Sequence, residues 1–223
     1  MNQDIKDRRP IRARNTAWAT TFARILQQRG ATPNGISLFS ILFSALAGFS
    51  FFYAFRQDSA LVSGLLLIVA ALMIQARLIC NLLDGMVAVE GGLRSPVGAV
   101  YNDLPDRISD TLILIGVGYG LTAFTDAITL SWAAALFAAM TAYVRVLGGS
   151  CGLDQQFSGP MAKQHRMALL TLGTVIAAVV PAYNQWILYL CLWVIGLGAI
   201  VTAILRTRAV MNELQRKELP PND

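Results

Sequence analysis

Apolar residues in this chain come in runs as long as whole helices, separated by short polar connections. Six runs, at about 35–55, 60–83, 97–122, 127–148, 166–183 and 186–206, reach or approach the roughly 20 residues needed to cross a hydrocarbon core. Backbone groups in lipid must be satisfied within the segment, so runs of this kind predict an all-α polytopic membrane protein with six transmembrane helices. The third run is the least apolar, because aspartates occupy its first turns, which points that end toward protein or water. Ahead of the first run, Trp18, Phe22, Ile25 and Leu26 recur at i, i+4, i+7 and i+8 within 15–29. This predicts an N-terminal amphipathic helix, lying in the membrane interface or packed on the bundle with a solvated face. Gly30 can end it, and Thr32 before Pro33 provides a cap and a first-turn proline for the next helix. The expected organisation is a basic tail and interfacial helix over 1–31, a six-helix transmembrane domain over 32–208 and a C-terminal cytoplasmic tail over 209–223.

Polar residues inside such runs are expensive and mark function. Arg77, Asn81, Asp84 and Ala88 fall on one face of the second run, at i, i+4, i+7 and i+11. In the third, taken as one helix from Ser95 with Pro96 in its first turn, Asn102, Asp103, Asp106 and Asp110 fit within an arc of about 100°. A short connection through Glu90-Gly91-Gly92 holds the two polar faces together. Such a hairpin can aim oxygens from both helices at one hard cation, Mg²⁺ or Mn²⁺. The oxygens so aimed belong to Asn81 and Asp84 on one helix and to Asn102, Asp103, Asp106 and Asp110 on the other. Asp84 and Asp106 could instead pair with Arg77 and Arg107 to fix helix packing, and Asp110 with Arg107 one turn earlier. Pro105 removes one amide donor and can leave the Tyr101 carbonyl open in a kinked continuous helix; alternatively, regular helix starts near Pro105 with Asp103 as its cap.

Composition agrees with a membrane class: 55% of residues are hydrophobic, 14% are charged and the mean hydropathy is +0.54. The net charge of +5 is not a nucleic-acid footprint, since the cations fall in alternate connections between runs. Lys6 to Arg29, Arg94, Arg145, Lys163, Arg166 and Arg206 to Lys217 share one side, and the other side offers only Arg56. The positive-inside rule then places both termini and the polar hairpin in the cytoplasm, and a bacterial inner membrane is the expected location. Cys80, Cys151 and Cys191 lack any disulfide or zinc spacing. No cleavable signal peptide is expected, because the first 30 residues are basic and lack an apolar core.

The connection 148–164 is rich in turn residues, with Arg145, Lys163, His165 and Arg166 at its edges. Clustered cations beside it can bind a phosphate or simply form the positive belt of the cytoplasmic side. His165, the only histidine, has no partner spacing for a metal and reads as a polar interface residue. Small residues at Ala133-Ala134-Ala135, Ala138-Ala139, Gly196 and Gly198 permit close helix contact in lipid.

The hairpin also resembles a family signature, that of the CDP-alcohol phosphotransferases, D-x2-D-G-x2-A-R-x8-G-x3-D-x3-D. This chain reads N-x2-D-G-x2-A-V-x8-G-x3-N-x3-D without gaps. Asp84, Gly85, Ala88, Gly98 and Asp106 match; Asn81 and Asn102 stand where the family has aspartate, and Val89 where it has arginine. Thr32-Pro33-Asn34-Gly35-Ile36-Ser37 is similar to the opening of the family's first membrane helix. The resemblance implies transfer of a phosphatidyl group from CDP-diacylglycerol to an acceptor alcohol, with CMP released. It implies a divalent metal at Asn81, Asp84 and Asn102, Asp106 as general base, and Gly85, Ala88 and Gly98 allowing close approach of the nucleotide, with Arg77 or Arg94 in place of the arginine missing at 89. The four family aspartates carry −4 where the matching positions here carry −2, a deficit that Asp103 and Asp110 could make up, so one firmly held ion is expected and a second held weakly or only together with substrate.

Arg145, Lys163 and Arg166 tilt the acceptor from a small polar alcohol toward a phosphorylated one, glycerol 3-phosphate first, as in a phosphatidylglycerophosphate synthase, and inositol phosphate next. The family further implies a homodimer. A rival from another class is a catalytically impaired relative that binds CDP-lipid or nucleotide as a partner subunit. A small transporter fits less well, because the polar groups gather at one end and no interrupted helices recur in matching halves.

Overall fold

The computed structural model describes residues 16–90, 92–93 and 96–218, and all regular structure among them is helical. The helices are α1 (Ala17–Gln28), α2 (Pro33–Ala54), α3 (Ala60–Glu90), α4 (Gly98–Gly120), α5 (Ala127–Ser150), α6 (Lys163–Val179) and α7 (Asn184–Glu218), with a 3₁₀ turn at Pro181–Tyr183 before α7. Thr32 caps α2 as its sequence implies: the side-chain oxygen accepts from Gly35 N at 3.1 Å, and Pro33 fills the first helical position, where no amide is needed. Gly30 leaves α1 at φ +78°, a conformation that favours glycine.

Among the described residues four stretches are long and apolar enough to cross a membrane: Pro33–Ala54, Ala60–Val89, Ala127–Ser150 and Pro181–Lys217. The other two expected spans correspond to α4, which carries Asp103, Asp106, Arg107 and Asp110, and to α6, which has 17 residues. The chain is thus an integral membrane protein of apolar helices. Three boundaries differ from expectation. α4 starts at Gly98 rather than Ser95, with Val97 in the cap position; Ser95 and Arg94, like residues 1–15, lie outside the described residues. The connection after α5 is shorter than 148–164, because α5 keeps Gly148 and Gly149 and α6 begins at Lys163. α7 passes residue 206 without a break and takes in 209–218 of the expected tail. Pro105 lies inside α4, as the continuous-helix alternative has it.

One large apolar core joins α2 through α7, built around Phe51, Leu67, Ile74, Ile113, Val117 and Leu170, with Leu188, Leu192 and Ile195 from α7. Small residues bring the backbones together. A side chain at Gly116 of α4 would run into the Cα of Gly48 on α2, and one at Gly120 into the carbonyl of Phe51. Ala134 is fully buried, and Gly196 packs across from it, so the alanine and glycine runs of α5 and α7 serve contacts within the chain. On α1 the buried face is Ala19 and Ala23, against α3, whereas Trp18, Phe22 and Ile25 are exposed.

The extension of α7 holds the segment 151–162. Val210 packs with Val144 and Leu153. Lys217 Nζ donates to the Gly152 carbonyl at 2.7 Å, Gln156 Nε2 to Glu213 at 3.2 Å, and Arg206 Nε to the Ser158 carbonyl at 2.8 Å. The Met161 amide donates to Thr202 Oγ1 at 2.9 Å. This segment delivers Phe157 and the start of α6 to the end of the bundle where the aspartates lie.

Candidate active site

That end encloses a cavity of about 460 Å³. α3 contributes Asn81, Asp84 and Gly85; α4 contributes Asn102, Asp103, Asp106 and Arg107. The opposite wall carries Thr141 and Arg145 of α5, Phe157, Lys163 and Arg166 of α6, and Arg206 of α7, while Trp18 of α1 closes one edge. Four cations therefore face three carboxylates across one space, with Arg107 beside the carboxylates, which suits a ligand of high negative charge.

Each carboxylate has a different environment. Asp84 is 4% exposed; its Oδ2 accepts from Ser37 Oγ at 2.6 Å, and its Oδ1 is buried with no hydrogen-bond partner. Asp106 is surrounded. Its Oδ1 accepts from Arg77 Nη2 at 3.3 Å and from Asn81 Nδ2, and its Oδ2 pairs with Lys163 Nζ and, at 3.7 Å, Arg107 Nη2. Asp103 Oδ1 pairs with Arg145 and, at 3.4 Å, Arg107.

Asp110 is 3% exposed and lies behind the cavity. Its Oδ1 accepts from Arg77 at 2.6 Å and its Oδ2 from Arg166 at 2.8 Å. Both oxygens are thus held by guanidinium groups, which removes Asp110 from the oxygens able to meet a cation. Its partners are these two arginines, not the Arg107 that spacing offered. Arg77 is fully buried, bridging Asp106 and Asp110 rather than facing a nucleotide. Arg166 also donates to the Met161 carbonyl at 2.8 Å and to Thr141 Oγ1 at 3.3 Å, so its guanidinium braces α4, α5 and the entry to α6. Ala88 and Gly98 do not line the cavity, and Gly85 does. His165 Nδ1 lies 2.9 Å from the Pro160 carbonyl, away from the cavity.

Sequence reasoning missed Ser37, Thr141 and Arg206. Arg206 is 4% exposed and donates to the carbonyls of Ser158 and of Thr141, the latter at 2.6 Å. Its signal was the first cation at the end of an apolar run, which charge counting absorbs with Arg208 into the positive-inside belt. Ser37 had a signal too, as the last residue of the Thr32–Ser37 opening.

Among the described residues no group of three His, Cys, Asp or Glu side chains is placed to hold a metal ion. The buried, unpartnered Asp84 Oδ1 nevertheless fits one cation, beside the amide oxygens that Asn81 and Asn102 can offer.

No family model matches the chain. The inner membrane protein YnbA of Escherichia coli K12 is 26% identical over 194 residues, covering 83% of this chain and 87% of that protein. The phosphatidylinositol phosphate synthase of Mycobacteroides abscessus is 23% identical over 215 residues, covering 91% and 90%. Among solved structures, the phosphatidylinositol phosphate synthase of Mycobacterium tuberculosis has this fold: its CDP-DAG-bound form superposes with a TM-score of 0.71 at 20% identity over 87% of this chain and 94% of that one. A crystal form of the same synthase in complex with manganese and citrate gives 0.72, at 20% identity over 86% and 88%. With Asp84, Gly85 and Asp106 gathered at one cavity, the chain is similar over most of its length to phosphatidylinositol phosphate synthases and shares the fold of one of them, with Asn81, Asn102 and Val89 as its departures from the signature.

Proposed function

We propose that this protein makes a phospholipid by transferring a phosphatidyl group from CDP-diacylglycerol to a polar alcohol, with CMP as the leaving group. The observation that carries the reading is the single cavity in which Asp84 and Asp106 face Arg145, Lys163 and Arg206. It is supported by a fold shared with a synthase crystallised with CDP-DAG bound.

In this reading the acceptor oxygen bonds to the β-phosphorus, the bond from that phosphorus to the bridging oxygen breaks, and CMP departs. Asp106 takes the proton of the attacking hydroxyl. Arg77 and Asn81 hold its Oδ1 in place for that transfer. A divalent ion held by Asp84, with Asn81 and Asn102, would neutralise the diphosphate and the charge developing on CMP. Gly85 leaves room for the nucleotide beside α3. On the opposite wall Arg145 is the best placed group for an acceptor phosphate, since its carboxylate partner, Asp103, is one-third exposed and can be exchanged. Lys163 and Arg166 complete that wall, and Arg166 acts mainly by bracing it. A phosphorylated polyol suits this chemistry. The matched synthase of M. abscessus moves inositol phosphate ahead of glycerol 3-phosphate as first candidate.

α4 and α6 complete a six-span bundle in this reading, and α1 rests its exposed Trp18, Phe22 and Ile25 in the membrane interface. Positive-inside placement puts the cavity in the cytoplasm, and a homodimer is the expected assembly.

The test is CMP release by the purified protein in lipid, with CDP-diacylglycerol, Mn²⁺ or Mg²⁺ and a panel of acceptors, beside Asp106→Asn. Metal-dependent release with one acceptor, reduced on the order of 10²–10⁴-fold in the variant, is expected. CDP-lipid binding without release for any acceptor would refute the transferase and favour a non-catalytic partner subunit.

A further inference from the structure

Two aspartates of the family motif are asparagines here, so the cavity lacks two of the negative charges that would hold metal ions. The remaining two motif carboxylates are treated in opposite ways. Asp84 keeps one oxygen buried and unpartnered, a costly arrangement unless a cation meets it. Asp106 has a partner on each oxygen, Arg77 and Asn81 on one and Lys163 and Arg107 on the other, so only a remaining lone pair is left to a hydroxyl. The Lys163 ammonium lies on the cavity side of this group, at the first residue of α6, where the Met161 amide bonded to Thr202 and the Met161 carbonyl bonded to Arg166 fix the chain just before it.

We propose that Lys163 is a built-in replacement for a second divalent cation: one ion sits at Asp84, and the ammonium on Asp106 supplies the positive charge that a second ion would bring. This deepens the transferase reading and rests on it. It gives the motif substitutions a common cause, because asparagines at 81 and 102 remove the charge that would pull a second ion into the space Lys163 fills. The ion count then follows from one side chain outside the motif.

The full-length protein in detergent would be titrated with Mn²⁺, reading bound and free ion by electron paramagnetic resonance, with and without CDP-diacylglycerol. Wild type should bind one Mn²⁺ per chain in both conditions, and Lys163→Arg should do the same. Asn81→Asp/Asn102→Asp with Lys163 retained should take a second ion at least tenfold more weakly than Asn81→Asp/Asn102→Asp/Lys163→Ala, which should bind two. Lys163→Ala alone should lose CMP release 100-fold or more, with part of it restored when both aspartates are added, a rescue that loss of packing would not give. Two ions in wild type, none in wild type, or a second-ion affinity indifferent to Lys163 would each overturn the proposal. One bound ion without CMP release for any acceptor would refute the transferase and leave the one-ion assignment standing; two bound ions with normal turnover would do the reverse.

Discussion

Removing the charge of Asp110 should destabilise the protein more than removing any other single carboxylate of the cavity region. Its two oxygens are shared between Arg77 at 2.6 Å and Arg166 at 2.8 Å, and all three side chains are at least nine-tenths buried. Asp110→Asn keeps the shape and removes the anion. Arg77 retains a weaker contact with Asp106 at 3.3 Å, but Arg166 is left with only neutral oxygens, those of Met161 and Thr141. Breaking one buried pair in this way costs about 3–5 kcal/mol. For a chain of this size that corresponds to a fall in Tm of roughly 6–20 °C.

The assay is thermal unfolding in detergent, followed with a thiol-reactive fluorophore. Cys191 is buried and Cys80 partly so, hence both report unfolding, while exposed Cys151 sets the baseline. Asp103→Asn is the comparison. Its carboxylate is one-third exposed and pairs with two arginines that are themselves about one-fifth exposed, so a loss of less than about 1 kcal/mol is expected. Asp110→Leu combined with Arg166→Met should recover part of the loss, because it leaves no unpaired charge at position 166, and Arg77 keeps its contact with Asp106. Equal shifts for Asp110→Asn and Asp103→Asn, or no recovery in the double variant, would refute this reasoning.

Two further outcomes follow from packing and from hydrogen bonding. Gly116→Ala places a methyl against the Gly48 Cα, where backbone and not a flexible side chain must move; a loss of about 1–3 kcal/mol is expected, read in the same unfolding assay, with an unchanged Tm as the contrary result. Ser37→Ala frees Asp84 from its 2.6 Å hydrogen bond and should weaken Mn²⁺ binding on the order of 10–100-fold, with Ser37→Thr restoring it; unaltered Mn²⁺ affinity would show that Ser37 does not orient Asp84.

The order and approximate limits of the helices were legible because each apolar run exceeds what a soluble helix needs. The polar face of α3 was legible as well: Arg77, Asn81 and Asp84 lie on one side because their spacing requires it. Partners were not. Spacing places Asp110 on the Asp106 face of α4 but carries no information about Arg166, 56 residues later, so a nearby arginine on the same helix was the natural candidate. Arg166 and Lys163 stood together as phosphate ligands for the same reason, although one is locked to Asp110 and the other to Asp106. The α7 extension had a visible signal in Val210 and Leu214, one turn apart among good helix formers, but apolar length alone ends that helix near residue 206. Gly48 and Gly116 are unremarkable in their own runs and acquire meaning only as a pair.

The Arg77–Asp110–Arg166 chain also constrains how this protein is made. Arg77 and Asp110 sit on consecutive helices, 33 residues apart, and can neutralise one another as soon as α3 and α4 leave the insertion machinery as a hairpin. Arg166 comes much later, after all of α5, and its guanidinium, 1% exposed, would be buried without an anion unless Asp110 still has an oxygen to offer. The second oxygen of Asp110 is therefore the tie between α6 and the α3–α4 hairpin, so one carboxylate joins three helices that lie up to 89 residues apart in the chain.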